Sequence, residues 1–178
     1  GIVVSRSLRV GGYDLDEAVG ARLRSNYGLA IGETTAERVK LEVGGVVPDA
    51  SEGHCDVKGR DPISGLPRQV EVTSEQMRQA LENSVTEILA AVKAALEETP
   101  PELASDIFQR GIVLAGGGAL LRGFAARLEQ ETNVPVRMAE DPLTCVALGA
   151  GLALDEMDLL ERTDTAGGGL PGLRRHST

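Results

Sequence analysis

The sequence predicts a mixed α/β fold in which a segment of helices and one β-hairpin interrupts an α/β layer. Three observations support this prediction. Apolar residues recur at helical spacing over 14–44, two short alternating runs lie between 54 and 73, and helices alternate with short strands after residue 100. The helix-and-hairpin segment, about residues 11–75, is expected to form a lobe of its own.

The first two helices are indicated by apolar spacing and by residues that favour helix ends. Asp14 is the expected N-cap of a helix that runs to about Asn26. A second helix is expected to follow Gly32 and to end at about Gly44. Thr34 and Glu37, near its start, have the spacing of a capping box.

The apolar pattern then changes from a helical period to alternation. Residues 54–58 and 68–73 predict two strands that a loop of turn residues joins into a β-hairpin. Thr73 and Gln76 again have capping-box spacing, so we expect a long helix to begin there and to run to about Glu98.

The remaining sequence has the pattern of an α/β layer. The expected elements are a helix over 102–108, a strand over 112–115, a glycine turn, a helix over 120–132, a strand over 134–138 and a helix from Asp141 to about Leu160. Residues 161–178 include three consecutive glycines and are expected to be a disordered tail.

The opening residues have the composition of a strand. The sequence starts with Gly1 rather than Met, and residues 2–4, which are Ile-Val-Val, predict an apolar strand that is already under way. Such a strand needs neighbours in a sheet. We therefore expect the sequence to be a fragment of a longer protein.

Composition and charge narrow the class of protein. Hydrophobic residues make up 42% and charged residues 25% of the 178 residues, which is typical of a soluble globular protein. The net charge of −9 argues against nucleic acid as a partner, because phosphate backbones are held by clustered Lys and Arg. No run approaches the ~20 apolar residues of a membrane span, and no signal peptide is recognisable. A cytoplasmic protein is the expectation.

Metal and catalytic motifs are not recognisable. Cys55 and Cys145 lie far apart, and the two histidines complete no ligand spacing, so no metal site is predicted. No pair of carboxylates is placed for catalysis, and we predict no catalytic residue.

Three consecutive glycines, Gly116, Gly117 and Gly118, lie between a predicted strand and a predicted helix. Glycine at a strand end allows positive φ and lets a flat ligand approach the backbone. The helix that follows offers N–H groups to an anion. A nucleotide shelf and a tight turn without a ligand both fit this pattern. The pattern does not match the dinucleotide-binding fingerprint, because Leu121 occupies the position of its third glycine. The P-loop motif is also not present.

Several segments together resemble the MreB family of bacterial actin-like cell-shape proteins. The matching segments are residues 3–12, 31–40, 57–61 with 65–67, 99–104, 111–123 and 139–147. They include Ala-Glu-Arg-Val-Lys at 36–40 and Gly-Gly-Gly-Ala-Leu-Leu-Arg-Gly at 116–123. The order and spacing are those of the family, and the resemblance extends to about Leu154.

The resemblance implies the second half of an actin-like ATPase fold, in which ATP lies between two α/β halves. Residues 1–10 and 76–160 would form an inner subdomain of the IIA type. Residues 11–75 would form the smaller outer subdomain of helices and a hairpin, of the IIB type.

The resemblance also implies the residues that contact the nucleotide. Glu37, Arg38 and Lys40 would line one side of the adenosine, with Glu37 and Lys40 as hydrogen-bond partners of the ribose and base edge. The opposite wall would consist of Gly116, Gly117, Gly118, Ala119 and Leu120, through their backbone atoms. The residues themselves leave open that Glu37 caps its helix and that Lys40 is solvated.

In this family the loops that hold Mg²⁺ and the β/γ phosphates would precede residue 1, together with the acidic residue that positions the attacking water. Phosphoryl transfer depends on such positioning and charge stabilisation. We therefore expect ATP as the cofactor of the intact protein, but no efficient ATP hydrolysis by this chain alone.

The function that the resemblance implies is that of a cytoskeletal protein. The intact protein would polymerise with ATP into filaments beneath the membrane and direct cell-wall synthesis and cell shape. Its partners would be further copies of itself and, through a transmembrane adaptor, the cell-wall elongation machinery; direct membrane insertion is not expected. Two alternatives are half of a small-molecule kinase of the same superfamily and a standalone module that binds filaments.

Overall fold

The structure, a computed structural model, describes residues 2–48 and 53–155. These residues contain six α-helices, four strands and one 3₁₀ turn. The helices are α1 (Gly12–Tyr27), α2 (Glu33–Val43), α3 (Ser74–Glu97), α4 (Pro101–Arg110), α5 (Phe124–Thr132) and α6 (Cys145–Asp155). The strands are β1 (His54–Arg60), β2 (Pro67–Thr73), β3 (Ile112–Leu114) and β4 (Val136–Met138), and the 3₁₀ turn is Gly117–Leu120.

The strands form two separate two-stranded sheets. Strands β1 and β2 pair antiparallel, with Val57 opposite Val70, and this confirms the predicted hairpin. Ala30 pairs with Arg60 and ties the hairpin to the segment between α1 and α2. Strands β3 and β4 pair in parallel, with Ile112 opposite Val136, as the α/β pattern predicts.

One hydrophobic cluster connects the helices to the hairpin. Helix α1 contributes Leu15, Val19 and Leu23, which recur every four residues and therefore share one face. Most other members come from α2, β1, β2, α3 and α5 and include Val39, Val57, Val72, Met77, Leu81, Val85, Phe124 and Leu128. This core holds α2 in place beside α1.

The predicted start of α2 after Gly32 is confirmed, whereas the predicted caps of the first two helices, Asp14 and Thr34, are wrong. Helix α1 begins at Gly12, and Asp14 lies inside its first turn, where its carboxylate accepts a hydrogen bond of 2.7 Å from the Gly11 amide. The N-cap of α2 is Gly32 rather than Thr34. The carbonyl of Gly32 already accepts hydrogen bonds from the first-turn amides, so the helix begins before the expected capping box.

The long helix begins and ends as predicted. Thr73 accepts a hydrogen bond from the Gln76 amide, and the Gln76 side chain accepts one from the Thr73 amide, so this capping box is confirmed. Helix α3 ends at Glu97, with Glu98 as its C-cap.

The predicted strand over residues 2–4 is absent, since residues 2–10 have no regular secondary structure. Ile2 and Val3 are exposed, and no strand of the described residues pairs with them. Apolar composition alone does not make a strand, because the backbone groups need a hydrogen-bonding neighbour.

The helices after the glycine turn begin later than predicted. Helix α5 starts at Phe124 instead of residue 120, because Gly117–Leu120 form a 3₁₀ turn and Gly123, the N-cap of α5, has a left-handed φ of 78°. Helix α6 starts at Cys145, after a turn over 142–144 that follows Asp141. The predicted continuation of α6 to Leu160 and the predicted tail lie outside the described residues.

Helix α6 has no buried residue in the described structure, and its leucines and valine are largely exposed. Within the described residues, no helix combines the length and the apolar composition needed to cross a bilayer.

The division into residues 1–10 with 76–160 and 11–75 stays a prediction.

Candidate functional site

A cleft of about 790 Å³ lies between helix α2 and the glycine turn. Sites for small molecules occupy roughly 300–1,000 Å³, so the cleft has a suitable volume. Its lining residues are Gly12, Tyr13, Leu15, Asp16, Glu33, Thr34, Glu37, Lys40, Leu41, Gly44, Gly117, Gly118, Leu120, Leu121, Arg122 and Leu143. The cleft thus brings together segments that are far apart in the sequence.

Five of the eight predicted site residues line this cleft. Helix α2 contributes Glu37 and Lys40, and the 3₁₀ turn contributes Gly117, Gly118 and Leu120. The two predicted walls therefore face one cavity.

The other three predicted residues are placed differently. Arg38 is not among the lining residues: its guanidinium lies 2.5 Å from the Glu42 carboxylate and 3.2 Å from the carbonyl of Asp56. Ala119 is buried, and Gly116 precedes the lining residues, where its amide donates to the Pro142 carbonyl at 2.6 Å. Gly116 and Ala119 thus flank or belong to the 3₁₀ turn without lining the cleft.

The glycine wall exposes backbone to the cleft. A Cβ placed on Gly118 would have no heavy atom within 4 Å, and one on Gly117 would meet Leu143 Cδ2 at 3.7 Å. The space that a side chain would occupy is therefore open, and a flat ligand has room to lie against the peptide groups. Leu120, Leu121 and Leu143 add apolar surface beside it.

Lys40 is held by Asp16, an acidic residue that no local sequence motif marks. Its Nζ lies 2.8 Å from Oδ1 of Asp16 and donates to the Gly12 carbonyl at 3.3 Å. The two side chains are only 11% and 12% exposed. Asp16 follows Leu15 on α1 and lies at the edge of the apolar face of that helix. This position in the sequence could have indicated that its carboxylate is buried.

Arg122 joins the two walls of the cleft. Its Nη2 and Nε donate to the Gly44 carbonyl at 2.9 Å and 3.2 Å, and its own carbonyl accepts from the Val46 amide at 2.9 Å. Gly44 is the C-cap of α2. The guanidinium therefore anchors the end of that helix to the segment after the glycine turn.

The charges of the lining residues do not favour an anion. Three carboxylates, Asp16, Glu33 and Glu37, line the cleft together with two cations, Lys40 and Arg122. Both cations have partners within the protein. The walls therefore offer peptide groups, apolar side chains and carboxylate acceptors, which suit an uncharged group with hydrogen-bond donors.

Fold and cleft define a class of protein: the chain has part of an actin-like α/β fold. The structure of MreB5 of Spiroplasma citri bound to ADP matches it with a TM-score of 0.85, at 38% identity, over 91% of this chain and 49% of that chain. The double helical filament of MamK matches with a TM-score of 0.62 at 24% identity, over 75% of this chain and 41% of that chain, which shows the fold alone. The predicted fold class is confirmed.

The chain belongs to the MreB/Mbl protein family, whose model matches residues 1–162. The cell shape-determining protein MreB of Escherichia coli K12 is 50% identical over 159 residues, 89% of this chain and 46% of that protein. The cell shape-determining protein Mbl of Bacillus subtilis 168 is 45% identical over 161 residues, 90% of this chain and 48% of that protein. The chain thus spans about half the length of the curated relatives it matches, and the family resemblance is confirmed.

Proposed function

We propose that this chain forms the adenosine-side wall of the nucleotide cleft in a bacterial actin-like protein that determines cell shape. One observation carries the proposal: a single cavity joins Glu37 and Lys40 of α2 to Gly117 and Gly118 of the glycine turn. The solved structures of MreB5, which is similar to this chain, contain ADP or AMPPNP. A nucleotide is therefore the ligand that we assign to the cleft.

The lining residues fit the nucleoside part of that ligand. The open backbone at Gly118 accommodates a planar ring or a ribose, and Leu120 and Leu143 cover its apolar surface. Glu37 accepts hydrogen bonds from hydroxyl or amino groups, and Lys40 donates them.

The phosphates and Mg²⁺ are assigned elsewhere. Among the described residues, no group of three His, Cys, Asp or Glu side chains is placed to hold a metal ion. Both cations of the cleft contact other protein groups. ATP supplies the phosphoanhydride bond of the reaction, and we assign the residues that act on it to the part of the relatives' length that this chain does not cover.

The intact protein, in this proposal, polymerises with ATP into filaments in the cytoplasm beneath the membrane. Self-association builds the filament, and a transmembrane adaptor connects it to the cell-wall elongation machinery. Membership of the MreB/Mbl family and the cell-shape role in the names of its relatives support this assignment. Electron microscopy of a longer version that includes the first half should show filaments with ATP; dispersed particles would contradict the cytoskeletal role.

Calorimetric titration with ADP tests the cleft itself. The substitution Gly118→Ala adds a methyl group to the open wall without touching another protein atom. We expect about tenfold weaker nucleotide binding, since a methyl group placed in a packed contact costs of the order of 1–3 kcal/mol. Gly149→Ala on α6 is the matched control, because its Cβ also meets nothing within 4 Å and it is not a lining residue. Equal affinity of the Gly118→Ala and unaltered chains would refute the assignment.

A further inference from the structure

We infer that Asp16 sets the charge selectivity of the cleft. By neutralising Lys40, it leaves a wall that accepts the uncharged nucleoside part of a nucleotide and offers no site to its phosphates. The inference rests on the proposed function in that the ligand is a nucleotide, and it assigns to Asp16 a positioning role without contact to that ligand.

The geometry shows how closely the two charges are matched. Oδ1 of Asp16 lies 2.8 Å from Nζ of Lys40, and both side chains are about nine-tenths buried. The two opposite charges form an ion pair, and Oδ1 accepts no well-aligned hydrogen bond from the described residues in addition. The Gly12 carbonyl, 3.3 Å from the same Nζ, adds a second acceptor and fixes the ammonium at the cleft wall.

This pairing changes what the ammonium offers to a ligand. A phosphate that approached Nζ would also approach the Asp16 carboxylate, so attraction and repulsion would largely cancel. Uncharged hydrogen-bond acceptors experience no such repulsion. Lys40 therefore keeps the ability to donate a hydrogen bond but loses the electrostatic preference for an anion.

The neighbouring charges act in the same direction. Glu33 and Glu37, also among the lining residues, add two carboxylates to the cleft. The guanidinium of Arg122 is directed to the Gly44 carbonyl. Lys40 is thus the lining cation whose electrostatic attraction for a phosphate depends on a single carboxylate, that of Asp16.

Removal of that carboxylate should reverse the preference. In Asp16→Asn, a buried ammonium loses its counter-ion, which is unfavourable unless another anion replaces it. An added phosphate group then supplies the missing charge. The variant should be less stable than the unaltered chain, and pyrophosphate should restore stability.

Thermal unfolding of the 178-residue chain with increasing pyrophosphate at constant ionic strength tests this inference. We expect no saturable rise of Tm for the unaltered chain, and a saturable rise for Asp16→Asn with at least about tenfold tighter binding of pyrophosphate. The double variant Asp16→Asn, Lys40→Met should lose the rise, because the ammonium is gone. Absence of the rise in a folded Asp16→Asn chain would overturn the inference.

Two further variants keep the test decisive. Glu131→Gln removes a carboxylate from Lys93 and Arg127, which lie outside the cleft, and should give no saturable rise. An equal rise in Glu131→Gln would mean that any unpaired cation binds pyrophosphate, which overturns the role of Asp16. If Asp16→Asn does not fold, the unaltered chain decides: saturable pyrophosphate binding that Lys40→Met abolishes contradicts the inference, and its absence supports it.

Calorimetry with adenosine separates this inference from the proposed function. Adenosine carries no phosphate, so its affinity should change little in Asp16→Asn, whereas the affinity for ADP should rise by about tenfold. Failure of the unaltered chain to bind adenosine or ADP would count against the nucleotide cleft. The pyrophosphate result would still report on Asp16 and Lys40.

Discussion

At the scale of single residues, the glycine turn divides two requirements between neighbouring positions. Gly116 has a φ of 81°, a conformation that L side chains rarely adopt, and its amide donates to the Pro142 carbonyl. Gly118 needs no unusual φ, and the space beside it is open. Gly116 therefore serves the fold of the turn, whereas Gly118 serves access to the cleft.

Alanine at the two positions should separate these roles. Gly116→Ala should lower the free energy of unfolding by about 1–2 kcal/mol, because alanine is strained at positive φ. Gly118→Ala should change it by less than about 0.5 kcal/mol. Urea unfolding of both variants measures the difference, and equal losses would show that strain at Gly116 is not what distinguishes them.

Some residues of the cleft could be predicted from the sequence and others could not. The glycines were singled out by their position between a strand and a helix, and Glu37 and Lys40 through a family resemblance. Five of the eight predicted residues share one cavity. Asp16 and Arg122 were missed, because each acts on a segment distant in the sequence. Local spacing carries no information on such partners until the core has placed α1, α2 and the glycine turn together.

At the scale of secondary-structure elements, capping-box spacing marks the start of helix α3 but not that of helix α2. The capping box at Thr73 and Gln76 exists because Thr73 has an extended backbone immediately before the helix. The same spacing at Thr34 and Glu37 has no such role, since the backbone of Gly32 already starts α2. Capping-box spacing thus marks a helix start only where the first residue of the motif has an extended backbone and the helix begins at the next residue.

The cap of α3 has a measurable contribution. Thr73→Ala removes the oxygen that accepts from the Gln76 amide and should lower the free energy of unfolding by about 1 kcal/mol. Thr86→Ala, in the exposed middle of the same helix, should change it by less than about 0.5 kcal/mol. Chemical denaturation checks both values, and an undiminished stability of Thr73→Ala would contradict the capping role.

The loop of the hairpin is held by Asp61 and has a pH-dependent stability. Backbone amides of Ser64 and Ile63 donate to its carboxylate at 2.9 Å and 2.8 Å, and these bonds lower the pKa of Asp61. A lowered pKa in the folded state means that the carboxylate stabilises the fold above its ordinary pKa of about 3.9. That contribution is lost as the pH falls through the lowered value.

Asp61→Asn should therefore flatten the acid side of the stability profile. Urea unfolding from about pH 5 to about pH 2 should show a smaller loss of stability in Asp61→Asn than in the unaltered chain. Glu75 and Glu131, whose pKa values are also lowered, contribute to both profiles and cancel in the comparison. Parallel profiles would show that Asp61 contributes no charge-dependent stability.

At the scale of the whole molecule, burial is uneven. Helices α1, α2 and α3 share the core with the hairpin, whereas α6 exposes Val146, Leu148 and Leu152 and has no buried residue. A contiguous exposed apolar surface favours association with another surface. An apolar helix of this composition is typically buried, and the described residues contain nothing that covers α6.

The exposed face of α6 should make the chain associate at high concentration. Leu152→Glu should reduce that association and leave the stability of the chain within about 0.5 kcal/mol, because Leu152 is 67% exposed. Ile63→Glu at the tip of the hairpin is a matched control, since Ile63 is 97% exposed but lies apart from α6. Sedimentation at several concentrations decides, and an equal effect of both substitutions would exclude a specific role of α6.

In the function that we propose, the cleft between α2 and the glycine turn receives the nucleoside. The most direct measurement is a titration of the isotope-labelled chain with ADP, followed by the chemical shifts of its backbone amides. The largest changes should occur at Glu37, Lys40, Gly117 and Gly118, with little change at the hairpin loop around Ile63. Saturable changes that spare the cleft and appear at other positions would contradict the claim.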